Sequence, residues 1–338
     1  MQGINKKHTI GALLGLGIAV FLIWGWGNDS KTSYFKNQGK VFGTYYSIQY
    51  EAKNDLEDSI QAALTAFDNS LSMFNPQSTL SAINANRDTT TDAYFETMWT
   101  EAERVWQLSE GAFDITVAPL VNLWGFGLKN RESVTDAQVD SLLPLIGFQK
   151  IQLADHKITK SDPRIMLDCG AVAKGQACDV VAEMLQRNGC KNYLVEIGGE
   201  IVARGNNSKG DAWHIGITKP NNNNEGAQDE LQEILAVNDV CMATSGNYRN
   251  YYYDGDQRRS HTIDPRTGYP VQHSLLSATV VSSTCMRSDA LATACMVLGA
   301  DKALEMIERA GDASCYLIVA QGDSTTVITS ANWSLTCR

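Results

Sequence analysis

Positive charge is scarce in this chain. Its 338 residues include 28 lysines and arginines against 38 aspartates and glutamates, which gives a net charge of −10 at pH 7. A protein that binds nucleic acid needs clustered lysine and arginine to neutralise phosphates. The composition therefore argues against a nucleic-acid partner. Any anionic ligand would require locally concentrated positive charge or a metal ion.

The cysteines and histidines do not form a recognisable zinc site. The eight cysteines are scattered, with no C-x-x-C pair and no clustered histidines, so a zinc site is not indicated. Most of the cysteines lie among apolar or small residues and are interpreted as buried small hydrophobic residues. Cys190, Cys315 and Cys337 are the candidates for disulfides. The sequence does not define which of them would pair.

Charge is absent from one long stretch near the start of the chain. Lys6 and Lys7 precede residues 9–28, which contain no charged side chain and are apolar over residues 10–23. About 20 such residues span a bilayer, and the preceding lysines favour a cytoplasmic start with the body exported. A cleaved signal peptide is the alternative, although no A-x-A cleavage site follows. We expect residues 1–28 to be a membrane anchor or signal segment and residues 29–40 a linker.

The remaining body, residues 41–335, has the composition of a folded enzyme. Hydrophobic residues make up 43% of the chain and charged residues 20%, which argues for a real core. Alternating and helical hydrophobic patterns interleave irregularly, which favours an α+β fold over a doubly wound sheet. Helices are predicted at 55–72, 94–109, 135–143, 177–188 and 288–298. Strands are predicted at 43–50, 150–159, 164–167, 193–197, 213–218, 275–282, 314–320 and 325–329.

The most informative motif is Asp168-Cys-Gly-Ala-Val-Ala-Lys174-Gly175. Small residues let backbone amides approach an anion, and Lys174 adds a positive charge, so the segment suits a phosphate group with a metal ion. Its spacing matches neither a Walker loop nor G-x-G-x-x-G. The alternative interpretation is a simple turn between a strand and a helix. Similar glycine-rich segments follow at Gly198-Gly199-Glu200 and Thr244-Ser-Gly246.

Three further segments carry candidate chemistry. Asp289 and Thr293 share one face at the start of a predicted helix and offer the hard oxygen ligands that Mg²⁺ prefers, although Asp289 could equally be a helix cap. His261 precedes the tight turn Asp-Pro-x-Thr-Gly and would titrate near neutral pH. The segment 111–127 combines aromatic residues with glycines and could line a flat ring pocket or belong to the core.

Taken in order, these motifs resemble the ApbE family, the FAD:protein FMN transferases. The resemblance covers residues 42–299. It rests on Gly43-Thr44, Ser72-Met-Phe74, Ser81-Ala-Ile-Asn84, Gly111-Ala-Phe-Asp114, Leu123-Trp-Gly-Phe, Asp168 to Gly175, Gly198-Gly199-Glu200, Thr244-Ser-Gly246, His261 to Gly268, and Asp289 to Thr293. It implies a mixed sheet-and-helix body of two intimately packed lobes behind one N-terminal transmembrane helix.

The resemblance also implies a role for individual residues. The flavin nucleotide, FAD, would be contacted by Phe42, Phe74, Ala112, Phe113, Asp114, Asp168, Lys174 and His261. Mg²⁺ would be held by the backbone carbonyl of Ala171 together with Asp289 and Thr293. The catalytic residues would be Asp289 and His261, with His261 as the candidate base. Four positions depart from the family pattern: Phe42 stands where methionine is usual, Asn247 where aspartate is usual, and Cys169 and Ala171 where leucine and glycine are commoner.

The implied reaction moves FMN from FAD to a threonine or serine hydroxyl of a target protein and releases AMP. The implied acceptor is a flavin-accepting subunit of a membrane redox complex, and the implied location is the bacterial inner membrane, with the catalytic body facing the periplasm or exterior. Two alternatives remain open. One is a Mg²⁺-dependent FAD pyrophosphatase, in which water replaces the hydroxyl, and the other is a flavin-binding protein without catalysis.

Overall fold

The fold is built from fourteen strands and eight α-helices in the described part of the chain. The computed structural model describes residues 32–128, 133–220, 230–247, 251–254, 257–322 and 324–335. The strands are β1 (Ser33–Val41), β2 (Thr44–Ala52), β3 (Ile151–Ala154), β4 (Lys157–Lys160), β5 (Tyr193–Ile197), β6 (Glu200–Arg204), β7 (Trp213–Thr218), β8 (Leu231–Val237), β9 (Val240–Gly246), β10 (Tyr251–Asp254), β11 (Gln257–Ser260), β12 (Leu275–Ser282), β13 (Ser314–Gln321) and β14 (Ser324–Thr329).

The helices vary from two turns to five. They are α1 (Glu57–Leu71), α2 (Thr79–Asn84), α3 (Ala93–Leu108), α4 (Ala118–Leu123), α5 (Asp136–Leu142), α6 (Gly170–Arg187), α7 (Cys285–Leu298) and α8 (Ala300–Ala310). Short 3₁₀ turns cover Ile115–Val117, Leu143–Leu145 and Phe148–Lys150. Within the described residues, no helix combines the length and the apolar character needed to cross a bilayer. The predicted anchor or signal segment, residues 1–28, lies outside the described residues.

One antiparallel sheet organises the molecule. Its eight strands lie in the order β1-β2-β5-β6-β9-β12-β13-β14, and each neighbouring pair is antiparallel. Three two-stranded sheets, β3-β4, β7-β8 and β10-β11, surround it. The mixture of an antiparallel sheet with segregated helices confirms the predicted α+β class.

The sheet separates two hydrophobic cores, because its central strands are buried on both faces. Along β6, Val202 joins the larger core beneath the helices, whereas Ile201 and Ala203 join a smaller core beneath the β7-β8 hairpin. Strand β13 divides in the same way, with Leu317 in the larger core and Ile318 in the smaller one. This alternation follows from the two-residue period of a strand. The two cores on either side of one sheet are the nearest counterpart of the two predicted lobes.

Several predicted elements need correction. The predicted linker 29–40 includes most of β1, which pairs along its whole length with β2. The predicted strand 150–159 is a hairpin, β3-β4, because Asp155 and His156 turn the chain with positive φ angles of 49° and 57°. Residues 164–167, predicted as a strand, belong to no strand. They lie outside the described sheets and lead towards α6.

Helix α7 is the most deeply buried element beneath the sheet. It packs against α6, β9 and β12, and twelve of its fourteen residues are buried. Thr284 caps its N-terminus by accepting a hydrogen bond from the Arg287 N–H at 3.2 Å. Asp179 of α6 accepts two more, from the Cys285 and Met286 N–H groups at 2.9 and 2.8 Å. A carboxylate at a helix N-terminus satisfies otherwise unpaired donors, so these contacts fix where α7 begins.

The described cysteines are free thiols. All seven, including the disulfide candidates Cys190 and Cys315, are buried and unpaired with another sulfur. The prediction that most cysteines act as buried small hydrophobic residues is therefore confirmed for this part of the chain. Cys337 lies outside the described residues. The fold holds together here without covalent cross-links.

Removal of the buried Arg287 side chain should be strongly destabilising. The Arg287 side chain is 2% exposed and joins Glu101 of α3 at 2.7 Å and Asp312 at 2.8 Å. We expect Arg287→Met to lower the free energy of unfolding by about 3–5 kcal/mol, because it leaves the poorly exposed Glu101 carboxylate without its partner. Urea denaturation would measure the loss.

Arg187→Met provides the matched control. Arg187 pairs with Glu183 one helical turn away at 2.7 Å, but its side chain is 77% exposed. Exposed pairs of this kind contribute less than about 1 kcal/mol. Equal losses for the two variants would contradict the importance given to the buried arginine.

Candidate active site

A large cavity opens where the glycine-rich motifs meet. Its volume is about 810 Å³, and it is bounded by the start of α6, the β5-β6 turn, the end of β9, one face of α7 and the segment after β11. The predicted site residues that line it are Phe74, Ala112, Phe113, Asp114, Asp168, Ala171, Lys174, His261, Asp289 and Thr293. The fold thus brings together segments that are far apart in sequence.

The Asp168 to Gly175 motif forms the first turns of α6. Asp168 precedes the helix, and its Oδ1 accepts a hydrogen bond from the Gly170 N–H at 2.8 Å. Its own N–H donates to the Ile115 carbonyl at 2.7 Å, which ties the motif to the aromatic side of the cavity. Burial raises the pKa of Asp168. The motif leads from a segment outside any strand into α6, and its residues Asp168, Ala171 and Lys174 line the cavity.

Three charged side chains meet in one wall of the cavity. The Lys174 ammonium hydrogen-bonds Glu200 Oε1 and lies 4.0 Å from Asp289 Oδ1. Burial tends to lower the pKa of Lys174, but the two neighbouring carboxylates outweigh it and raise that pKa. Burial raises the pKa of Glu200 to about 7, against the opposing effect of Lys174. One ammonium therefore faces two carboxylates in a poorly solvated place.

Asp289 and Thr293 lie one helical turn apart on α7. Burial raises the pKa of Asp289, while Lys174 and the Gly175 N–H, which donates to Oδ2 at 3.0 Å, act in the opposite direction. The Thr293 and Ser245 hydroxyls are 3.2 Å apart. Within the described residues, no group of three or more His, Cys, Asp or Glu side chains could hold a metal ion. A cation here would need hydroxyl and carbonyl oxygens as well.

The donor set fits a hard divalent cation. Asp289 supplies a carboxylate, Thr293 a hydroxyl and Ala171 a backbone carbonyl, and all three residues line the cavity. These are the oxygen ligands that Mg²⁺ prefers. Two carboxylates beside one ammonium leave an excess of negative charge when both are ionised, which a cation would offset.

The aromatic side of the cavity is held by Asp114. Its carboxylate accepts hydrogen bonds from the N–H and hydroxyl of Thr116 at 2.8 and 2.6 Å and from the Phe148 N–H at 2.9 Å. Burial raises the pKa of Asp114, and these donors oppose that effect. Both oxygens are therefore engaged within the chain, and they connect the segment after Phe113 to the turn that begins at Phe148. Phe74 is 67% exposed and presents its ring to the cavity.

His261 lies in the cavity wall before a tight turn. Its ring contacts Phe126 edge-on, with 6.3 Å between ring centroids. The following turn is closed by the Gly268 N–H, which donates to the Asp264 carbonyl at 2.8 Å. Gly268 has a φ of 82°, a conformation that suits glycine at such a turn. The predicted turn is therefore present, and His261 lines the same cavity as the other site residues.

Phe42 is the one predicted contact residue that does not line the cavity. It occupies the β1-β2 turn with a φ of 51°, and its ring packs edge-on against Phe67 at 5.6 Å. The neighbouring Thr44 and Tyr45 line the cavity in its place. Thr44 of the Gly43-Thr44 motif thus reaches the cavity, whereas the Phe42 ring packs against the core.

Glu200 is a site residue that sequence reasoning did not assign. It is 2% exposed, and it follows a turn in which Gly198 and Gly199 have φ angles of 63° and 98°. The Gly198-Gly199-Glu200 motif marked this turn in the sequence, but it assigned no role to Glu200. Its pairing with Lys174 depends on the β5-β6 hairpin meeting α6, which the local pattern does not reveal.

Comparison with known proteins identifies the family. A family model described as "ApbE family" matches residues 42–317. The chain belongs to the ApbE family. The match covers all the described helices and every cavity motif described above, together with the sheet from β2 to the first half of β13, and it confirms the resemblance inferred from the sequence.

Curated ApbE relatives are similar over most of their length. The chain is 36% identical over 330 residues to a protein of Haemophilus influenzae named FAD:protein FMN transferase, covering 93% of each chain. It is 38% identical over 281 residues to a protein of the same name from Vibrio cholerae, covering 80% of this chain and 83% of the relative.

Solved ApbE structures share the fold. The flavin transferase ApbE from Vibrio cholerae superposes with a TM-score of 0.79 at 34% identity, covering 89% of this chain and 98% of that one. The apo form of the flavinyl transferase ApbE from Pseudomonas stutzeri gives a TM-score of 0.80 at 29% identity, covering 89% and 96%. The mixed α+β fold is thus the fold of this family.

The contact between α6 and α7 should tolerate no side chain at Gly175. A Cβ there would lie 2.3 Å from the Cys285 carbonyl oxygen and 2.8 Å from Asp289 Cβ. We expect Gly175→Ala to push the two helices apart and to lower the free energy of unfolding by about 1–3 kcal/mol. Thermal or urea unfolding would measure this. A variant as stable as the wild type would show that the helices separate at little cost.

Proposed function

We propose that this chain transfers FMN from FAD to a threonine or serine hydroxyl of another protein and releases AMP. The observation that carries the proposal is the meeting of Lys174, Glu200 and Asp289 in the wall of a large cavity, in a member of a family whose curated relatives are FAD:protein FMN transferases. An ammonium beside buried carboxylates suits a pyrophosphate and a cation together.

The cavity has the size and the lining for a flavin nucleotide. At about 810 Å³ it lies towards the upper end of the range of about 300–1,000 Å³ that is usual for small-molecule sites. Phe74 and Phe113 offer aromatic surface for the ring system. Lys174 offers its ammonium to the phosphates. The residues expected to contact FAD thus supply both kinds of surface.

We propose Mg²⁺ as the metal, held by the Ala171 carbonyl, Asp289 and Thr293. When bound, it would act as a Lewis acid that offsets negative charge on the pyrophosphate oxygens and on departing AMP. The Gly175 N–H hydrogen bond and the burial of α7 keep the Asp289 carboxylate in a single orientation. Preorganised groups of this kind need no rearrangement during the reaction.

The other residues position the reactants. Lys174 would neutralise phosphate oxygens, and Asp114 would hold the loop of Ala112 and Phe113 in place beside the ring. His261 lies in the wall of the same cavity. Its ring nitrogens would donate or accept hydrogen bonds with groups near the phosphates. Catalysis by this arrangement rests on orientation and electrostatics, as expected for phosphoryl transfer.

A direct assay distinguishes the proposed reaction from the alternatives. The protein is incubated with FAD, Mg²⁺ and a candidate flavoprotein subunit of a membrane redox complex. Flavin fluorescence that stays with the subunit in a denaturing gel supports transfer. Release of free FMN without labelling would indicate a pyrophosphatase, and unchanged FAD would indicate a flavin-binding protein.

We further propose that residues 1–28 tether the catalytic body to the outer side of the bacterial inner membrane. The uncharged run after Lys6 and Lys7 supports this orientation. Such a location would place the site near exported domains of membrane redox complexes. Cell fractionation should recover the intact chain in membranes until detergent is added. A soluble exported form that begins near residue 28 would show that the segment is cleaved.

Asp289→Asn should abolish most of the transfer. The amide keeps the shape and an acceptor for the Gly175 N–H, but it removes the anionic ligand from the metal site. We expect the rate at limiting Mg²⁺ to fall by roughly 100-fold or more, because a bound cation contributes several kcal/mol to such a transition state. Gel fluorescence would measure labelling, and quenching of flavin fluorescence would measure FAD binding.

Asp301→Asn is the matched control for this substitution. Asp301 is exposed in the first turn of α8 and does not line the cavity. It should retain the wild-type rate and the wild-type dependence on Mg²⁺. Near-normal turnover of Asp289→Asn at limiting Mg²⁺ would rule out the proposed metal site.

A further inference from the structure

One side of the cavity has no role in the proposed binding of FAD and Mg²⁺. It is lined by Thr44 and Tyr45 of β2, Glu196 of β5 and residues 216–218 of β7. This side is continuous with the part of the cavity that contains the candidate metal ligands. A transfer reaction needs a second reactant beside the nucleotide, so this side is the place to seek contacts with the acceptor.

In the described part of the chain, the edge of β7 that faces the cavity is paired with no other strand. Strand β7 pairs there with β8 alone. Residues of β7 line the cavity and described residues of β8 do not, so the edge opposite β8 is the one that faces the cavity. Alternate backbone N–H and C=O groups on such an edge point away from the partner strand. An extended segment of another chain can pair with them as an added strand.

The main sheet provides the other side of this space. Tyr46 belongs to the larger core, so the alternation of β2 places Tyr45 on the opposite face, which also carries the β7-β8 hairpin. Glu196 shares that face, because the next residue, Ile197, belongs to the larger core. Tyr45 is 67% exposed, and Glu196 is exposed as well. The space between Tyr45, Glu196 and residues 216–218 is called the acceptor groove below.

Exposed apolar side chains adjoin the acceptor groove. Leu231 and Ile234 of β8 are 49% and 38% exposed, and they lie opposite Thr218 and Gly216 of β7. A Cβ built at Gly216 would lie 2.7 Å from Leu231 Cδ2. The Leu231 side chain therefore covers Gly216, which itself lines the cavity. Clustered apolar side chains on a surface mark sites of protein interaction.

We propose that the acceptor groove binds an extended segment of the acceptor protein as a strand added to the edge of β7. The inference rests on the proposed function and adds the surface that binds the second substrate. The reactive threonine or serine would lie where the groove meets the candidate metal ligands. The acceptor is the one reactant of the proposed transfer that has no site in the rest of the cavity, and the groove opens directly into that cavity.

The two kinds of contact in the groove have different consequences for the acceptor. Pairing with the β7 backbone gives affinity that does not depend on the acceptor side chains. Tyr45 on one side and Leu231 with Ile234 on the other would contact the side chains next to the reactive residue. The preferred acceptor is therefore an extended loop or terminus whose threonine or serine is flanked by apolar residues.

Steady-state kinetics with varied acceptor test the apolar contacts. Leu231→Ser, Ile234→Ser and the control Leu128→Ser are assayed with saturating FAD and Mg²⁺ against a flavoprotein subunit that the wild-type chain labels. Leu128 is 50% exposed but does not line the cavity. We expect the KM for the subunit to rise roughly 5- to 30-fold in each β8 variant, as for other central interface contacts. Their kcat and FAD affinity should stay at the wild-type values, and Leu128→Ser should match the wild type throughout.

A synthetic peptide that spans the labelled residue of the same subunit tests the backbone pairing. A single N-methyl group is placed in turn on each of its amide nitrogens, which removes one donor at a time and alters no side chain. An added strand hydrogen-bonds through every second residue. The labelling rate should therefore fall at alternate positions on one side of the reactive residue. Equal losses at all positions, or none, would contradict strand addition.

The remaining outcomes also decide the proposal. An unchanged KM in both β8 variants overturns it. A peptide that stays unlabelled while the intact subunit is labelled also overturns it, because a folded surface is then recognised instead of an extended segment. If the chain self-associates and both β8 variants abolish the association, the apolar side chains belong to an interface with a second copy, and the proposal fails.

The proposed function and this inference can fail separately. Thermal unfolding checks that each variant is folded, and the peptide series needs only the wild-type chain, so it keeps the test valid if a variant does not fold. Failure of the wild-type chain to label any subunit overturns the proposed function, and this inference with it. The other contrary outcomes leave the transfer reaction intact and remove only the acceptor groove.

Discussion

The close contact between α6 and α7 is the constraint on which the site depends. Gly175 lets the two helices approach until its N–H reaches the Asp289 carboxylate. Asp179, one turn further along α6, fixes the first residues of α7 by accepting their N–H groups. A single helix pair therefore sets the separation of Lys174 from Asp289. The β5-β6 turn then adds Glu200 from the sheet, which completes the charged wall.

Burial determines the pKa shifts of the charged groups in this cavity wall. At the protein surface, water would screen an ammonium from two carboxylates, and each group would shift the pKa of the others only slightly. Within the cavity, burial raises the pKa of Glu200 to about 7 against the opposing effect of Lys174, and the neighbouring carboxylates raise the pKa of Lys174 although burial opposes them. A charged ligand bound beside these groups would shift their pKa values and so change their protonation.

Local patterns in the sequence predicted the class of the fold, most of the described helices and ten of the residues that line the cavity. They did so because glycine-rich turns and paired polar residues mark places where the backbone must approach a ligand. They failed where long-range packing decides the outcome. The β1 segment lacks a strong alternation yet pairs fully with β2, and the ring of Phe42 turns inward against Phe67. Glu200 depends on a neighbour that lies 26 positions earlier in the chain.

The seven free thiols have a practical consequence. They lie in helices, strands and loops of the same interior, and Cys178 and Cys285 flank the contact of the two central helices. Reagents that modify sulfur can reach them only when the surrounding structure opens. Each cysteine is therefore a natural reporter of local opening. The order in which they become modified would map how the interior loosens, and bound nucleotide should protect first those nearest the cavity.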